Sequence, residues 1–116
     1  MSTKTPESFS TDLQARSLRV EISATRSLLL PFDQFAFAEL DSDGKEQRLR
    51  LVFATHEVLV SGHSLQRIET AMQRLELSGI AVLPEKYQTL LTEGQPKIRE
   101  IVVTENKSPD FQTQTP

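Results

Sequence analysis

Cysteine is missing from the chain altogether. Its absence removes disulfides, thiolate zinc and iron–sulfur ligation, thiol nucleophiles and cysteine lipidation from consideration. Positive charge is also scarce: 13 Lys and Arg against 16 Asp and Glu leave a net charge of −3 and a pI near 5.4. No basic excess is available to neutralise a phosphate backbone, the interaction that dominates nucleic-acid affinity, so no nucleic-acid partner is expected. Long apolar runs are lacking too, none approaching the roughly 20 residues of a membrane span. The opening "MSTKTPESFSTDLQ" has no apolar core of a secretory signal, and Glu7 and Asp12 interrupt any acid-poor transit character. The expectation is a cytoplasmic protein without a membrane partner. Glycine occurs only at 44, 62, 79 and 94, each read at the edge of an element, so none remains for a phosphate-cradling loop, and no cofactor is expected.

What is present is an ordinary globular composition, 37% apolar and 25% charged over 116 residues, enough for one modest core. Ser, Thr, Pro and charged residues fill both ends, which cannot bury enough surface to offset their ordering entropy. The expected organisation is a flexible segment over 1–16, a single domain over 17–104 and a flexible tail over 105–116. Phe9 and Phe111 read as incidental aromatics in those ends.

Within the domain, "LRVEISA" (18–24) alternates apolar and polar residues with the period of a half-buried strand. "SLLLPFDQFAFAEL" is apolar on both faces, and Pro31, which cannot donate to a ladder, implies a break before a second strand near 34–40. Asp43-Gly44 supplies hairpin chemistry. "QRLRLVFA" (47–54), "VLVS" (58–61) and "KIREIVVTE" (97–105) read as the remaining strands. Gly62 is read as the end of the sheet run. In "SLQRIETAMQRLELSG" the period changes: Leu65, Ile68, Met72 and Leu75 recur at helical spacing, with Ser64 as N-cap and Gly79 as C′ residue. "PEKYQTLLTEG" reads as a short second helix with Pro84 at its first position and Tyr87, Leu90 and Leu91 facing inward. The expected fold class is α+β: one small, curved antiparallel sheet of about five strands, with barrel-like closure as an option, packed on one long amphipathic helix.

The candidate chemistry is thin. His56 and His63 flank Glu57 in "FATHEVLVSGHSL", but seven extended steps at roughly 3.3 Å separate the two histidines by on the order of 20 Å. The odd separation also sends them to opposite faces, so no shared metal or catalytic site is expected. Glu39, Asp41, Asp43 and Gly44 mimic half of a calcium loop, yet the twelfth position, which must be a bidentate glutamate, is Arg50. No metal is therefore assigned. Arg67 and Arg74 share the helix with Glu69 and Glu76 and read as a balanced, solvated surface, and Arg48 and Arg50 as solvent-facing strand positions.

The informative surplus is apolar. Segments 49–54, 58–60 and 101–103 carry apolar residues on both faces, more than one helix on one sheet can cover. Barrel closure or burial against another chain would resolve this. The functional expectation is a non-enzymatic protein-interaction or assembly module, with a homodimer as one form of it. The alternative is a small enzyme or ligand-binding domain, its ligand unspecified, whose site at the mouth of the sheet uses Glu57, His63 or Tyr87. Convergent polar groups in a closed pocket favour that alternative, and an exposed apolar patch favours the module.

Overall fold

A computed structural model describes residues 7–91 and 94–106. The fold is mostly β, in two four-stranded sheets rather than one five-stranded sheet. The first sheet has the order β1-β7-β2-β3, formed by β1 (Phe9–Thr11), β2 (Ser17–Ser23), β3 (Arg26–Pro31) and β7 (Leu77–Ala81). A 3₁₀ turn at Phe32–Gln34 follows Pro31, where the sequence calls for a break. The second sheet has the order β4-β5-β6-β8, from β4 (Phe35–Asp43), β5 (Glu46–Phe53), β6 (His56–His63) and β8 (Lys97–Glu105), all antiparallel. In the first sheet β7 enters between β1 and β2 and runs parallel to β2.

The sequence reading missed β1, β3 and β7. β3 begins after a two-residue turn and pairs Leu30 with Leu18 and Leu28 with Val20. Its three consecutive leucines mask the alternation: Leu30 is buried and Leu29 is 53% exposed. β7 lies in what reads as the end of the helix. Gly79, taken for a helix C′ residue, is in the middle of β7, opposite Ser10 of β1 and Arg19 of β2. β1 falls within the segment expected to be flexible; there Ser8 is buried and donates its hydroxyl to the carbonyl of Pro96 at 2.9 Å. Residues 1–6, 92–93 and 107–116, including Phe111, lie outside the described residues.

The long amphipathic helix is replaced by α1 (Gln66–Gln73), of eight residues. Ile68 and Met72 are buried as its periodicity implies, and Leu65 is buried at its N-cap position. Leu75 departs from the expected stripe: it is 43% exposed and has a positive φ of 56°. The Leu75 N–H donates to the Met72 carbonyl and the Glu76 N–H to the Ala71 carbonyl, each at 2.9 Å. This is the Schellman pattern, with Leu75 in the left-handed position usually taken by glycine. Ser64 does not cap the start, since no side chain bonds from the N-cap position and Ser64 itself has φ 57°. Instead the Gln47 amide oxygen accepts the Leu65 N–H at 2.7 Å. The second helix, α2 (Glu85–Gln88), has four residues and buries none of them. Tyr87 and Leu90, expected to face inward, are 38% and 56% exposed.

One core joins both sheets and α1. Leu18, Val20, Leu30 and Ile80 from the first sheet meet Leu49, Leu51, Phe53, Val58 and Val60 from the second, with Ile68 and Met72 of α1 among them. The inner face of the second sheet is therefore covered within the chain by a second sheet, neither by barrel closure of a single sheet nor by another subunit. Two glycines fix its geometry. Gly44 opens the two-residue β4–β5 turn with φ 68°, as a type II′ hairpin requires. Gly62 is the penultimate residue of β6, opposite Ile98 of β8, so the strand runs one residue past it.

Candidate interaction surface

The apolar residues left over on the strands gather on the outer face of the second sheet. Strand register places Phe37, Val52 and Glu57 in one row across β4, β5 and β6. The next row runs Glu39, Arg50, Leu59 and Val102 from β4 to β8. Phe37 is 48% and Val102 42% exposed, while Val52 and Leu59 between them are half-buried. Phe37 is directly opposite Val52 and Leu59 directly opposite Val102, and Val52 and Leu59 are diagonal neighbours on adjacent strands, so the four form a continuous apolar strip.

Arg50 is the hub of that strip. Its Nε donates to Glu57 Oε2 at 2.8 Å and its Nη1 to Glu39 Oε1 at 3.1 Å. Its guanidinium carbon lies 5.5 Å from the centroid of the Phe37 ring, in cation–π range. Hydrogen bonding to Glu57, then to Glu39, raises the Arg50 pKa above its ordinary value. Beyond the strip the face is ionic: Arg99 Nη2 donates to Glu46 Oε1 at 3.2 Å, with a second bond between Arg99 Nε and Glu46 Oε2, and Arg48 lies 3.8 Å from Asp43. Hydrogen bonding from Arg99 holds the Glu46 carboxyl below its ordinary value. The carboxylates of the calcium-like stretch thus face arginines across the β4–β5 ladder, Glu39 directly opposite Arg50 and Asp41 opposite Arg48.

The residues named for a reactive site are not brought together. Glu57 is engaged by Arg50 on the outer face. His63 is exposed at the far end of the same strand, six extended steps or about 20 Å away. Tyr87 sits on α2, with the Lys86 ammonium 5.1 Å from its own ring. His56 and His63 are the first and last residues of β6. The His56 ring lies 2.7 Å from the Thr55 hydroxyl and lines a small cleft with Ile22, Leu28 and Val103. Among the described residues, no cluster of three or more His, Asp or Glu side chains is placed to share a metal.

Two larger clefts are open to solvent. A trough of about 560 Å³ runs over β1, β7 and β2 past Ser10, Arg19 and Ser78. A groove of about 520 Å³ lies between α1 and β4, walled by Phe35, Ala38, Glu69, Met72, Gln73 and Leu75. Neither contains Glu57, His63 or Tyr87.

Sequence reasoning located Val52, Leu59 and Val102 through their two-faced strands, but not Phe37 or the role of Arg50. The alternation of Phe37, Glu39 and Asp41 against Ala38 and Leu40 was available as a signal for the outer face of β4. Among the described residues no helix is long and apolar enough to cross a membrane. Comparison of the chain with protein-family models, curated proteins and solved structures gives no match.

Proposed function

We propose that the protein is a non-enzymatic protein-interaction module, acting in the cytoplasm, that self-associates through the outer face of its second sheet. The observation that carries this reading is the strip of Phe37, Val52, Leu59 and Val102 surrounding an arginine already satisfied by two carboxylates. Apolar surface left in water is favourable to bury, at about 25 cal/mol per Å². The charges among it are paired within the chain, so a second copy need not supply a counter-ion to each. A two-fold related copy presents the same strip to itself, which is the requirement for an isologous interface. Paired charges at the margin form the polar rim that such contacts usually have.

Light scattering across a concentration series, on the unchanged chain and on Leu59→Arg, tests the proposal. Dimerisation of the first, abolished in the second with its fold intact, supports the reading, whereas the same monomeric mass for both refutes it.

A further inference from the structure

We propose that the groove between α1 and β4 receives an extended segment of another protein, apolar with flanking lysines or arginines, which adds as a strand to the free edge of β4. This surface is separate from the outer face and does not depend on self-association.

The first observation is the edge itself. β4 is a nine-residue strand at the end of its sheet, and β5 is its sole strand partner among the described residues. A strand paired on one side presents its other row of N–H and C=O groups to any chain that can align with it. Such edges are commonly shielded by shortness, by charge, by a bulge or by a covering element; β4 is long, its bulge is confined to Phe35–Phe37 and its charges are all acidic, so that an acidic strand is repelled and a basic one is not.

The second observation is the groove between α1 and the inward face of this edge strand. α1 packs against β4, and the space between them has an apolar lining of Phe35, Ala38, Met72 and Leu75. Phe35 is fixed against Phe53, with ring centroids 5.3 Å apart. Ala38, between the larger Phe35 and Leu40 on the inward face of β4, leaves room where another side chain would close the groove. A strand added to β4 directs alternate side chains inward, toward this space. Main-chain pairing with apolar pockets for alternate side chains is the general form of β-strand addition.

The third observation is Leu75. Left-handed backbone is unfavourable for an L-residue, and glycine is the usual solution at this point of a Schellman motif. A half-exposed leucine there gains little from the core, but it supplies one wall of the groove. A strained residue at a cleft is a pointer to binding.

Charge selects the occupant. Residues 31–44 contain Asp33, Glu39, Asp41 and Asp43 and no lysine or arginine, and Glu69 is the charged member of the groove lining. Arg67 of α1 and Arg74 at its C-cap line a different cleft on the β1 side of the helix. Glu39, Asp41 and Asp43 lie across from arginines of β5, leaving Glu69 in the groove wall and Asp33 in the turn before β4 to favour a basic segment over an acidic one.

The test uses the full chain and a fluorescein-labelled peptide of alternating lysine and leucine, titrated by anisotropy and followed by amide chemical shifts. Expected are saturable binding weakened by salt, shifts centred on Ala38, Leu40 and Met72, and at least about tenfold loss of affinity in Leu75→Gly and in Glu69→Lys. N-methylation of alternate peptide nitrogens, which blocks strand pairing, should abolish binding. The proposal is overturned by no binding at millimolar peptide, or by equal binding of the N-methylated peptide or of a glutamate-for-lysine version. It is equally overturned if the segment 107–116, added as a free peptide, occupies the groove more tightly than the basic probe. Splitting of a dimer by the probe would assign the groove to a second copy instead and would likewise overturn it.

Discussion

The carbonyl oxygen of Lys97 lies 1.9 Å from the point that a Cβ on Gly62 would occupy. No real Cβ approaches backbone so closely, so β6 and β8 can pair at this point only because residue 62 has no side chain. The register of the β6–β8 ladder shifts between Ser61 and Gly62, and this close approach sits beside the shift. Gly62→Ala must push the two backbones apart next to the last pair of the β6–β8 ladder. A loss of more than about 3 kcal/mol is expected by denaturant unfolding, in the range reserved for core strain. A loss under about 1 kcal/mol would mean that the strands are not joined in this way.

Ile68 and Leu75 should respond with opposite signs. Ile68→Ala empties a fully buried position and is expected to cost about 2–5 kcal/mol. Leu75→Gly relieves a left-handed residue that is 43% exposed and should be neutral or stabilising by up to about 1 kcal/mol. Were Leu75 the fourth member of a long buried stripe, both substitutions would destabilise. Paired urea melts separate the two cases.

Much of the second sheet was legible because β4, β5 and β6 follow one another and show alternation or turn chemistry that can be read locally. The first sheet was not. β1 is only three residues long, β3 hides its alternation under Leu28, Leu29 and Leu30, and β7 contains a glycine in a place that also suits a helix end. Leu75 explains the overlong helix: its spacing from Met72 fits helical periodicity, while its left-handed backbone, invisible to periodicity, ends the helix there. The surplus of apolar residues was legible as a quantity but not as a location. Most of it packs into the core shared with the unforeseen first sheet, and Val52, Leu59 and Val102 are left on the outer face. Glu57, His63 and Tyr87 were chosen by residue type, which carries no information about convergence.

The pairing of Glu46 with Arg99 predicts a pH dependence. Because the folded carboxyl is held below its ordinary value, chiefly by the Arg99 hydrogen bonds, the pair contributes stability above the unfolded carboxylate range. That contribution is lost as pH falls through the folded value. Arg99→Gln should move the Glu46 titration upward toward that of a free glutamate, as followed by carboxyl NMR. An unmoved titration would show that the ion pair is not formed in solution.

His56 and His63, at opposite ends of β6, predict indifference to zinc. A metal bound only to the folded state raises the melting temperature with concentration. No saturable rise is expected. Stabilisation abolished by either His56→Ala or His63→Ala would require β6 to fold back on itself.

The claim that most needs testing is that the outer strip is an interface between two copies. Sedimentation equilibrium of the full chain, from micromolar to near-millimolar, measures it directly. The expected mass rises from that of the 13.1 kDa chain to twice that value, and a Phe37→Asp variant keeps its fold but stays monomeric. A single 13.1 kDa species throughout, for the unchanged chain, would contradict it.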